Sequence, residues 1–570
     1  MNPNPAIPSF SRRESFLWLA SPLLATMGAQ RLAAASRMAE VVIYGATSAG
    51  IAAAVQVRRM GKTVLLLDPD GHVGGLTTGG LSWTDIGNKQ VVGGIAREYY
   101  QRIKAKYDPE GMWAWESRAD YYTKRHSENV HGEDAMWTFE PKIASEVYRD
   151  LMREHGIEVE TGKRLDLRPG RGVKKSGPWI ESIAMEDGTV YTGGMFIDAS
   201  YEGDLLAKAG VSYTTGREAN AKYQETYNGV QAGWKHLHQF PDGCNVDPYV
   251  KAGYPKSGLL PIIDPKGPGV EGEGDHRIQA YCFRLCMTTA KGNQLPIQKP
   301  EGYNELDHEM LLRYAESGKY HRPSQKWDPL PNAKTDTNNH GAVSTDYMGA
   351  NYEYPDGDYA VRQRIVERHQ VYTKGYLWTL QNHTRVPKPI RDWYRQWGWP
   401  KDEFVTNGHF PTQIYVREAR RMLSPVVMTQ HHVEARELAK DSVGMGAYGM
   451  DSHNVQRYVT TAGFVRNEGN VQKGGFKPYP ISYQSIVPKK EEAGNLLVPI
   501  CLGASHIAYG SIRMEPVFMV MGQSAATAAC MALDNGQIVQ SVRYERLRDR
   551  LAADPPILGP APAQSGGPRQ

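Results

Sequence analysis

The sequence is poor in cysteine: its 570 residues contain only five. They are Cys244, Cys282, Cys286, Cys501 and Cys530, and no two of them form a Cys-x-x-Cys pair. Zinc and iron–sulfur centres of the usual spacing are built from such pairs, so we expect no metal site. Cys282 and Cys286 stand four residues apart, and we expect them to be buried small hydrophobic side chains rather than a redox pair.

The sequence also lacks a long run of like charges and a long apolar run. Its formal net charge is +4, and no lysine and arginine cluster is long enough to form a phosphate-binding stripe. Nucleic acid is therefore not an expected partner. No segment reaches the roughly 18 consecutive apolar residues of a membrane-spanning helix, which argues against an integral membrane segment. The chain is 40% hydrophobic and 22% charged, as is typical of a soluble globular protein.

Phenylalanine is scarce relative to the other aromatic residues. The chain has 11 Phe against 32 Tyr and 12 Trp. Aromatic rings with a polar tip suit wet clefts, including those that bind carbohydrate-like molecules. The composition therefore favours a small polar molecule as ligand.

The two ends of the chain have unusual compositions. Near the N-terminus, Arg12 and Arg13 precede a modest apolar run over residues 16–27, and three alanines follow at 33–35. This pattern resembles a twin-arginine export signal, and we assign it to residues 1–37, which predicts a periplasmic or otherwise extracytoplasmic protein. The alternative is a basic leader on a cytoplasmic protein. Residues 541–570 are rich in Pro and Gly and are predicted to form a loose tail.

A stretch of about thirty residues has the pattern of a nucleotide-binding unit. It reads VVIYGATSAGIAAAVQVRRMGKTVLLLDPD and spans residues 41–70. The pattern predicts a buried strand over 40–44, a helix over 50–60 and a second strand ending at Asp68. A strand–turn–helix–strand unit of this kind is the context that a dinucleotide fingerprint requires.

Each position of this turn has a physical role. Gly45 permits the tight turn, and Gly50 lets the helix pack close to the strand. The start of the helix presents free N–H groups and a partial positive charge to a pyrophosphate. Thr47 replaces the middle glycine of G-x-G-x-x-G, and its hydroxyl could donate to a phosphate oxygen. Asp68 follows Gly50 by eighteen residues and is placed to accept the ribose hydroxyls. We assign cofactor binding to Gly45, Thr47, Ser48, Ala49, Gly50 and Asp68.

A second glycine pair decides which dinucleotide is expected. Gly74 and Gly75 follow Asp68 by six and seven residues. FAD proteins of the glutathione-reductase superfamily place a glycine pair just past the ribose-binding acid, whereas a nicotinamide Rossmann domain goes directly into its next helix. The sequence therefore predicts FAD as cofactor, with noncovalent attachment as the default and His72 as a minor candidate for a covalent tether.

The remaining chain is predicted to complete an α/β fold with an inserted domain. We expect a Rossmann-like FAD-binding domain of the glutathione-reductase type, built from residues 38–215 and 411–540. Between them, residues 216–410 have weak periodicity and many turn signals and are predicted to form an α+β substrate domain of strands and long loops. Within the first part, a strand pair running to residue 198 places Ala199 near the flavin.

The C-terminal part has three predicted elements around the flavin. Residues 495–502 read as a buried strand, and residues 503–513 read as a glycine-punctuated loop that begins at Gly503. A helix follows from Pro516. Gly522 and several alanines give this helix a small surface, and its positive end would face the flavin pyrimidine ring, where charge collects on reduction.

Seven segments together resemble a known family. They are GATSAGIAAA (45–54), GHVGGLTTGGLSWTD (71–85), FEPKIA (139–144), IDASYEGDL (197–205), TDTNNHGAVSTDYMGAN (335–351), YVREARRM (415–422) and LGASHIAYGSIRMEPVFMVMGQSAA (502–526). The sequence resembles FAD-dependent oxidoreductases related to the flavin subunit of heterodisulfide reductase, some of which carry the label "xanthan lyase". The resemblance spans about residues 40–535. It implies a two-part FAD domain interrupted by a substrate domain.

Three side chains are the candidate catalytic groups. His506 is the candidate base, because histidine titrates near neutral pH. Arg513 is placed to hold the flavin or a substrate carboxylate, or alternatively to pair with Glu515. Arg417 belongs to a cluster with two further arginines that either contacts substrate or flavin or forms an ion-pair network. Additional candidates for the far wall of the substrate pocket are Asn338, Asn339, His340 and Tyr347.

The sequence therefore predicts an exported FAD-dependent oxidoreductase. It would remove a hydride from a small polar substrate, with a sugar or sugar-derived alcohol as the candidate. The expected electron acceptor is a quinone, a cytochrome or oxygen, since nicotinamide is a cytoplasmic pool. Two alternatives are an NAD-dependent Rossmann oxidoreductase and a flavin-binding protein without catalytic activity.

Overall fold

The computed structural model describes residues 36–123, 133–233, 238–320 and 325–553. The predicted export signal lies outside these residues except for its last two positions, as does the tail after residue 553. A short helix at Tyr544–Ala552 falls within the segment predicted to be a loose tail. Leu547 and Leu551 of this helix are buried, so its ordered part extends beyond the predicted boundary.

The fold contains α-helices and short strands throughout. The helices are α1 (Ser48–Arg59), α2 (Gly75–Gly79), α3 (Gly94–Lys106), α4 (Arg118–Thr123), α5 (Pro141–Glu154), α6 (Asp204–Lys208), α7 (Asn220–Tyr223), α8 (Glu309–Glu316), α9 (Tyr359–Asn382), α10 (Lys388–Tyr394), α11 (Gln430–Val433), α12 (His506–Ile512), α13 (Glu515–Asp534) and α14 (Tyr544–Ala552). The first strands are β1 (Ser36–Tyr44), β2 (Val64–Leu67), β3 (Val159–Glu160), β4 (Val173–Ser176), β5 (Trp179–Ala184), β6 (Val190–Asp198), β7 (Tyr213–Thr214), β8 (Ile263–Asp264), β9 (Leu285–Thr288) and β10 (Gln294–Leu295). The remaining strands are β11 (Gln325–Leu330), β12 (Lys334–Asn339), β13 (Trp399–Pro400), β14 (Arg421–Met422), β15 (Ser442–Gly446), β16 (Met450–Ser452), β17 (Gln456–Val459), β18 (Val465–Glu468), β19 (Val471–Lys473), β20 (Tyr479–Ser482) and β21 (Leu496–Leu497).

The largest sheet is built around β1. Its strand order is β3-β2-β1-β6-β5-β4, and β21 also pairs with β6. The pairs β1–β2, β2–β3, β1–β6 and β6–β21 are parallel, whereas β5 runs antiparallel to β6 and to β4. Because β1 is central, its residues 41–44 are fully buried. The parallel strands bring Tyr44, Leu67 and Asp198 to the same edge of the sheet.

Close backbone packing fixes α1 against this sheet. Gly45 has a φ of +106°, and a Cβ there would lie 2.7 Å from the carbonyl carbon of Ala199. A Cβ on Gly50 would lie 1.9 Å from the carbonyl oxygen of Gly45. On the other side of α1, a Cβ on Gly522 would lie 2.2 Å from the carbonyl oxygen of Ala49. Glycine at these positions therefore lets the β1–α1 turn and helix α13 approach to backbone contact.

The middle of the chain contains a long helix that the sequence reading missed. Helix α9 has 24 residues, starts after the side-chain cap of Asp358 and lies in the segment predicted to be strands and loops. Its buried face includes Arg362, His369 and Tyr372 besides aliphatic residues. Because polar side chains carry part of the buried face, the hydrophobic period of the helix is faint in the sequence.

Two predictions near the C-terminus need correction. Residues 503–513 are not all loop, because α12 begins at His506 after a cap by the Ser505 hydroxyl. The strand predicted over 495–502 is paired only at β21. Serine at the N-cap is a helix-start signal, and the glycines around it obscured that signal in the sequence.

The cysteine prediction is confirmed, since all five cysteines are buried and none forms a disulfide. In the described part of the chain, one helix, α13, is long and apolar enough to cross a membrane. Helix α13 packs inside the protein, with 89% of its most apolar window buried. It therefore behaves as a core helix.

We expect substitution of Gly50 by alanine to destabilise the fold by about 1–3 kcal/mol, because the added methyl group overlaps the Gly45 carbonyl. Denaturant unfolding measures this change. Gly111→Ala is the matched control, because nothing lies within 4 Å of a Cβ at that position. The control should change stability by less than about 0.5 kcal/mol. Equal stability of the Gly50 and Gly111 variants would contradict the packing argument.

Candidate functional site

A cavity of about 430 Å³ lies at the carboxyl edge of the parallel strands. Its wall comes from the β1–α1 turn, the end of β2, the start of α2, residues 200–202, helix α9 and residues 406–414. Of the predicted cofactor-binding residues, it is lined by Gly45, Thr47, Asp68 and Gly75. Ligands of open α/β sheets bind at this edge. We call it the nucleotide cavity.

Thr47 plays a different part from the one expected. Its hydroxyl donates to the Ala199 carbonyl oxygen at 2.7 Å and accepts from the Gly50 N–H at 3.3 Å. The side chain therefore caps α1 and ties the turn to the end of β6. The hydroxyl is engaged in these two contacts, so the expected donation to a phosphate is not the role that the structure gives it.

Asp68 lies at the end of β2 with its carboxylate turned toward the β1–α1 turn. Its Oδ2 accepts from the Ala46 N–H at 2.9 Å, and its Oδ1 accepts from the Asp70 N–H at 3.0 Å. Burial raises the pKa of Asp68 to about 6, although both backbone N–H groups lower it. Each oxygen keeps a free lone pair, so the carboxylate is able to accept further hydrogen bonds from a ligand in the cavity.

The second glycine pair, Gly74 and Gly75, lies close to a buried carboxyl group, that of Glu515, near the nucleotide cavity. Gly74 and Gly75 have φ angles of +102° and +56°, and a Cβ on Gly75 would lie 2.3 Å from Tyr201 Oη. Tyr201 accepts from the Leu76 N–H at 2.9 Å and donates to Glu515 at 2.8 Å. Ser48 also donates to Glu515, at 2.5 Å. Burial raises the pKa of Glu515 to about 7, which the Ser48 and Tyr201 hydrogen bonds oppose.

The other predicted cofactor residues support the turn without lining the cavity. Ser48, Ala49 and Gly50 form the buried first turn of α1. Ala199 receives the Thr47 hydroxyl and Gly522 packs on Ala49, as described above. Gly503 is more distant: its N–H donates to the Ser485 carbonyl at 2.8 Å, and its own carbonyl accepts from the Met428 N–H. Gly503 therefore holds two backbone segments together.

A second cavity, of about 380 Å³, is lined almost entirely by polar side chains. We call it the polar cavity. Its lining residues are Asp85, His238, Lys326, Asn338, Asn339, Tyr415, Tyr448, Gly449, Met450, Asp451, His453, Gln472, Lys473 and Gly474. Asn338 and Asn339 were expected to face a substrate pocket. Dense hydrogen-bonding groups of both kinds with tyrosine rings suit a polar molecule with several hydroxyls.

Two chain segments run from one cavity to the other. Gly75 lines the nucleotide cavity, and Asp85, which follows it by ten residues, lines the polar cavity. Likewise, Ile414 lines the nucleotide cavity and Tyr415 lines the polar cavity. The two segments touch between the cavities, because a Cβ on Gly79 would lie 2.3 Å from the Cβ of Gln413. A molecule held along these segments would therefore reach from one cavity to the other.

His453 is the histidine that the structure places on the polar cavity between two carboxylates. Its Nδ1 lies 2.8 Å from Asp346 Oδ2, and its Nε2 lies 3.5 Å from Asp451 Oδ2. A carboxylate only accepts, so Nδ1 donates to Asp346, and the carboxylate that lies next to Nε2 is that of Asp451. On the other side of Asp346, Arg417 Nη1 forms an ion pair at 2.9 Å.

The charges around His453 fix the carboxylates in their ionised form. Burial alone would raise the pKa of Asp346, but Arg417 and His453 lower it to about 2. Burial likewise favours the protonated form of Asp451, yet the charges of His453 and Arg513 hold its pKa well below the usual range. Both groups therefore remain anionic and can orient or stabilise a protonated His453.

The three predicted catalytic residues have different surroundings. Arg513 donates to Tyr415 Oη at 2.7 Å and lies 3.4 Å from Asp451, so its partner is not Glu515. Arg417 lies directly behind Asp346 and also contacts Cys282 and Asn339. Both arginines are buried and stand one side chain behind the wall of the polar cavity.

His506 lines neither cavity. Its Nδ1 lies 2.8 Å from Glu418, and its Nε2 lies 3.0 Å from Ser452 Oγ, so both ring nitrogens have protein partners. His506 occupies the first turn of α12, where it closes the packing against β16. His238 and His453 line the polar cavity and His72 lines the nucleotide cavity, whereas His506 lines neither.

Sequence reasoning missed His453, Asp451, Asp346, Asp85 and Tyr201. Asp451 and His453 form an Asp-x-His pair in the segment GMDSHN, which was the available signal. Asp346 stands more than a hundred residues earlier in the chain, so no local pattern connects it with His453. Of the other expected wall residues, His340 packs edge-on to His238 at 5.3 Å, and Tyr347 stacks on Tyr372 at 3.9 Å.

Solved structures with similar segments include three enzymes. An anhydrotetracycline hydroxylase from Streptomyces rimosus is 13% identical (TM-score 0.23), and the match covers 32% of this chain and 36% of that one. An L-amino acid deaminase from Proteus vulgaris is 17% identical over 34% and 54% of the two chains (TM-score 0.23). Thioredoxin reductase from T. acidophilum is 18% identical over 33% and 40% (TM-score 0.16). The chain thus spans about a third to a half of the length of these relatives. TM-scores this low support no conclusion about the fold or the function of this protein.

Comparison with a family model is more informative. No curated protein matches the sequence. The family model described as FAD dependent oxidoreductase, however, matches residues 40–551, from β1 to α14. Since this match covers most of the chain, FAD is the expected cofactor of the nucleotide cavity, and the protein belongs to the family of FAD dependent oxidoreductases.

Proposed function

We propose that the nucleotide cavity holds the adenosine diphosphate part of FAD. The residues fit this group: a glycine turn at a helix N-terminus, and the Asp68 carboxylate with free lone pairs for ribose hydroxyls. Ser48 and Tyr201 both donate to Glu515 at the end of α13, which places a carboxyl group beside Gly75. In this proposal Gly45 and Gly75 approach FAD through their backbone and Asp68 approaches it through its side chain, while Ser48 and Ala49 support the turn from behind.

We further propose a two-part FAD domain of the glutathione-reductase type with an inserted substrate domain. Strand β21 pairs with β6 of the same sheet that contains β1, which supports a domain assembled from distant parts of the chain. The inserted part would contribute α9 and four of the residues that line the polar cavity, namely His238, Lys326, Asn338 and Asn339. A relation to the flavin subunit of heterodisulfide reductase remains part of this proposal, carried by the seven segments named above.

The polar cavity is the proposed substrate site, and its chemistry is the oxidation of a small polar alcohol. The observation that carries this proposal is His453, which lines the cavity while Asp346 holds Nδ1 and Asp451 lies 3.5 Å from Nε2. When bound, FAD supplies an acceptor for a hydride. Nε2 would take the hydroxyl proton of the substrate, and Asp346 and Asp451 would stabilise the resulting imidazolium.

Arg417 and Arg513 are positioning residues in this scheme. Arg417 holds Asp346 from behind, and Arg513 holds Asp451 and the Tyr415 hydroxyl. Buried ion pairs of this kind fix carboxylate orientation, because breaking one leaves an uncompensated charge. The sugar or sugar-derived alcohol expected from the composition is also compatible with the amide, hydroxyl and carboxylate groups of the polar cavity.

We also propose that the protein is exported and that an acceptor outside the cytoplasm takes its electrons. The arginine pair at residues 12–13 supports a periplasmic location, and a quinone, a cytochrome or oxygen would then reoxidise the cofactor. To distinguish these acceptors, the cofactor is first reduced anaerobically and each acceptor is then added. Recovery of the cofactor absorbance identifies an acceptor that reoxidises it. Purified protein without flavin absorbance would instead favour the nicotinamide alternative.

We expect His453→Gln to slow anaerobic cofactor reduction by roughly 10²–10⁴-fold, the usual contribution of a general base. FAD should stay bound, because His453 does not line the nucleotide cavity. The measurement is stopped-flow bleaching of the flavin band with the best substrate from a screen of sugars, polyols and hydroxy acids. A screen in which bound FAD is reduced by no donor would favour a flavin-binding protein without catalytic activity.

His506→Gln is the matched control for this experiment. Its histidine has the same carboxylate contact at Nδ1 but faces Ser452 instead of a cavity. We expect the control to reduce its cofactor within about threefold of the unaltered rate, a barrier difference under roughly 1 kcal/mol. If cofactor reduction were slow in the His506 variant and unaltered in the His453 variant, the base would be His506.

FAD affinity should fall as pH rises above about 7. Glu202 lines the nucleotide cavity, and burial raises its pKa to about 7, with Arg362 lowering and Asp204 raising it. A diphosphate in the same cavity favours the protonated carboxyl, so binding takes up a proton above this pH, where Glu202 is ionised in the unbound protein, and is weaker there. Tyr354 donates to Glu202 at 3.0 Å and remains available to the glutamine variant.

Glu202→Gln tests this dependence. The dissociation constant of FAD, measured by flavin fluorescence, should rise by at most roughly tenfold per pH unit above the pKa in the unaltered protein and stay flatter in the variant. Glu158→Gln, an exposed control on the approach to β3, should keep the full dependence. Parallel pH curves for all three proteins would show that Glu202 does not face the diphosphate.

A further inference from the structure

Two lysines line the polar cavity from different strands. Lys326 lies on β11 and Lys473 ends β19, and both are exposed. In the described ranges of the chain, neither lysine forms an ion pair with a carboxylate. Two ammonium groups that face one cavity without counter-ions create a positive potential at its mouth.

The carboxylates of the same cavity already have other partners. Asp85 lies 3.4 Å from Arg284, and Asp451 lies 3.4 Å from Arg513 and 3.5 Å from His453. In the described residues neither carboxylate lies within ion-pair distance of Lys326 or Lys473, although the charge of Lys326 contributes to the low pKa of Asp451.

Two further ionisable residues, Asp328 and Arg457, influence the electrostatic potential of the polar cavity. Asp328 stands two residues after Lys326 on β11, and burial raises its pKa to about 6, so that its negative charge is disfavoured. Arg457 is almost fully buried, and the contact that the structure gives its guanidinium is a hydrogen bond to the Ala342 carbonyl at 3.2 Å. Burial lowers the pKa of Arg457. Among the described residues it has no carboxylate within ion-pair distance, although the charge of Asp346 acts on it.

We infer that the substrate is a hydroxy acid, whose carboxylate Lys326 and Lys473 bind at the mouth of the polar cavity. This inference rests on the proposed function of that cavity. The amides of Asn338, Asn339 and Gln472 are available to the hydroxyls of a polyol chain. A sugar acid combines both features, with its carboxylate at the lysines and a carbinol toward His453.

The test compares D-gluconate with sorbitol, which has the same length of polyol chain and no carboxylate. Calorimetry gives the dissociation constant of each compound for the purified FAD-loaded protein. We expect gluconate to bind more tightly and to weaken as ionic strength increases, whereas sorbitol binding should not depend on salt. In the Lys326→Gln/Lys473→Gln variant, the dissociation constant of gluconate should rise by roughly 10–100-fold per lysine and that of sorbitol should stay unchanged.

A second double variant, Lys256→Gln/Lys266→Gln, removes two exposed lysines that do not line the polar cavity. It should bind gluconate as the unaltered protein does. Equal binding of the two compounds, binding of neither, or gluconate binding that survives loss of Lys326 and Lys473 would overturn the inference.

Anaerobic bleaching separates this inference from the proposed function. Bleaching by sorbitol and gluconate at equal rates would leave the proposed oxidation standing and overturn the hydroxy-acid specificity. Selective, lysine-dependent binding of gluconate without bleaching by any tested donor would support the anion site and overturn the proposed oxidation. Selective binding together with faster bleaching by gluconate is the expected result.

Discussion

The nucleotide cavity depends on close backbone packing around Gly45. The turn after β1 presses against Ala199, and the first turn of α1 presses against the Gly45 carbonyl, at distances that leave no room for a Cβ. This contact sets the start of α1 at the edge of the sheet, where β2 ends at Asp68 and α2 begins. The packing of Gly522 on Ala49 then brings the start of α13, with Glu515, to the same edge. The cavity wall follows from these approaches of backbone to backbone.

The polar cavity depends on a different constraint, which is the pairing of buried charge. Arg417 with Asp346 and Arg513 with Asp451 are pairs whose members come from distant parts of the chain. A buried guanidinium or carboxylate without its partner is costly, so each pair fixes the position of both segments. Arg420 and Arg421 follow the same rule, because they bind Asp204 and Glu218 instead of entering a cavity. The arginine cluster of the sequence is thus divided among four carboxylates, since Arg420 also pairs with Asp356, and Arg417 is the member whose carboxylate partner contacts His453.

The sequence was informative where a local pattern sets a local structure. The turn at Gly45, helix α1 and the acid at Asp68 could be predicted because glycine, alanine and a terminal acid stand at fixed spacing within one unit. Helix α9 could not, because Arg362, His369 and Tyr372 occupy its buried face. His453 was missed although Asp451 stands two residues before it, because Asp346, its other acidic partner, is more than a hundred residues away in the sequence. What separates His453 from His506 is that His453 lines the polar cavity, with Asp451 beside its second ring nitrogen, whereas His506 lines neither cavity and contacts Ser452. That difference arises from long-range packing.

Helix α9 supplies Gln363, Val366 and Gln370 to the wall of the nucleotide cavity. These residues lie more than 160 positions after β6 in the chain, and residues 406–414 add the rest of that wall. A nascent chain that has left the ribosome only as far as β6 carries the glycine turn but lacks the opposite wall. Strand β21 and helix α13 emerge later still. Completion of the wall of the nucleotide cavity is therefore an event of late or completed synthesis, because residues on both sides of this cavity must first be made.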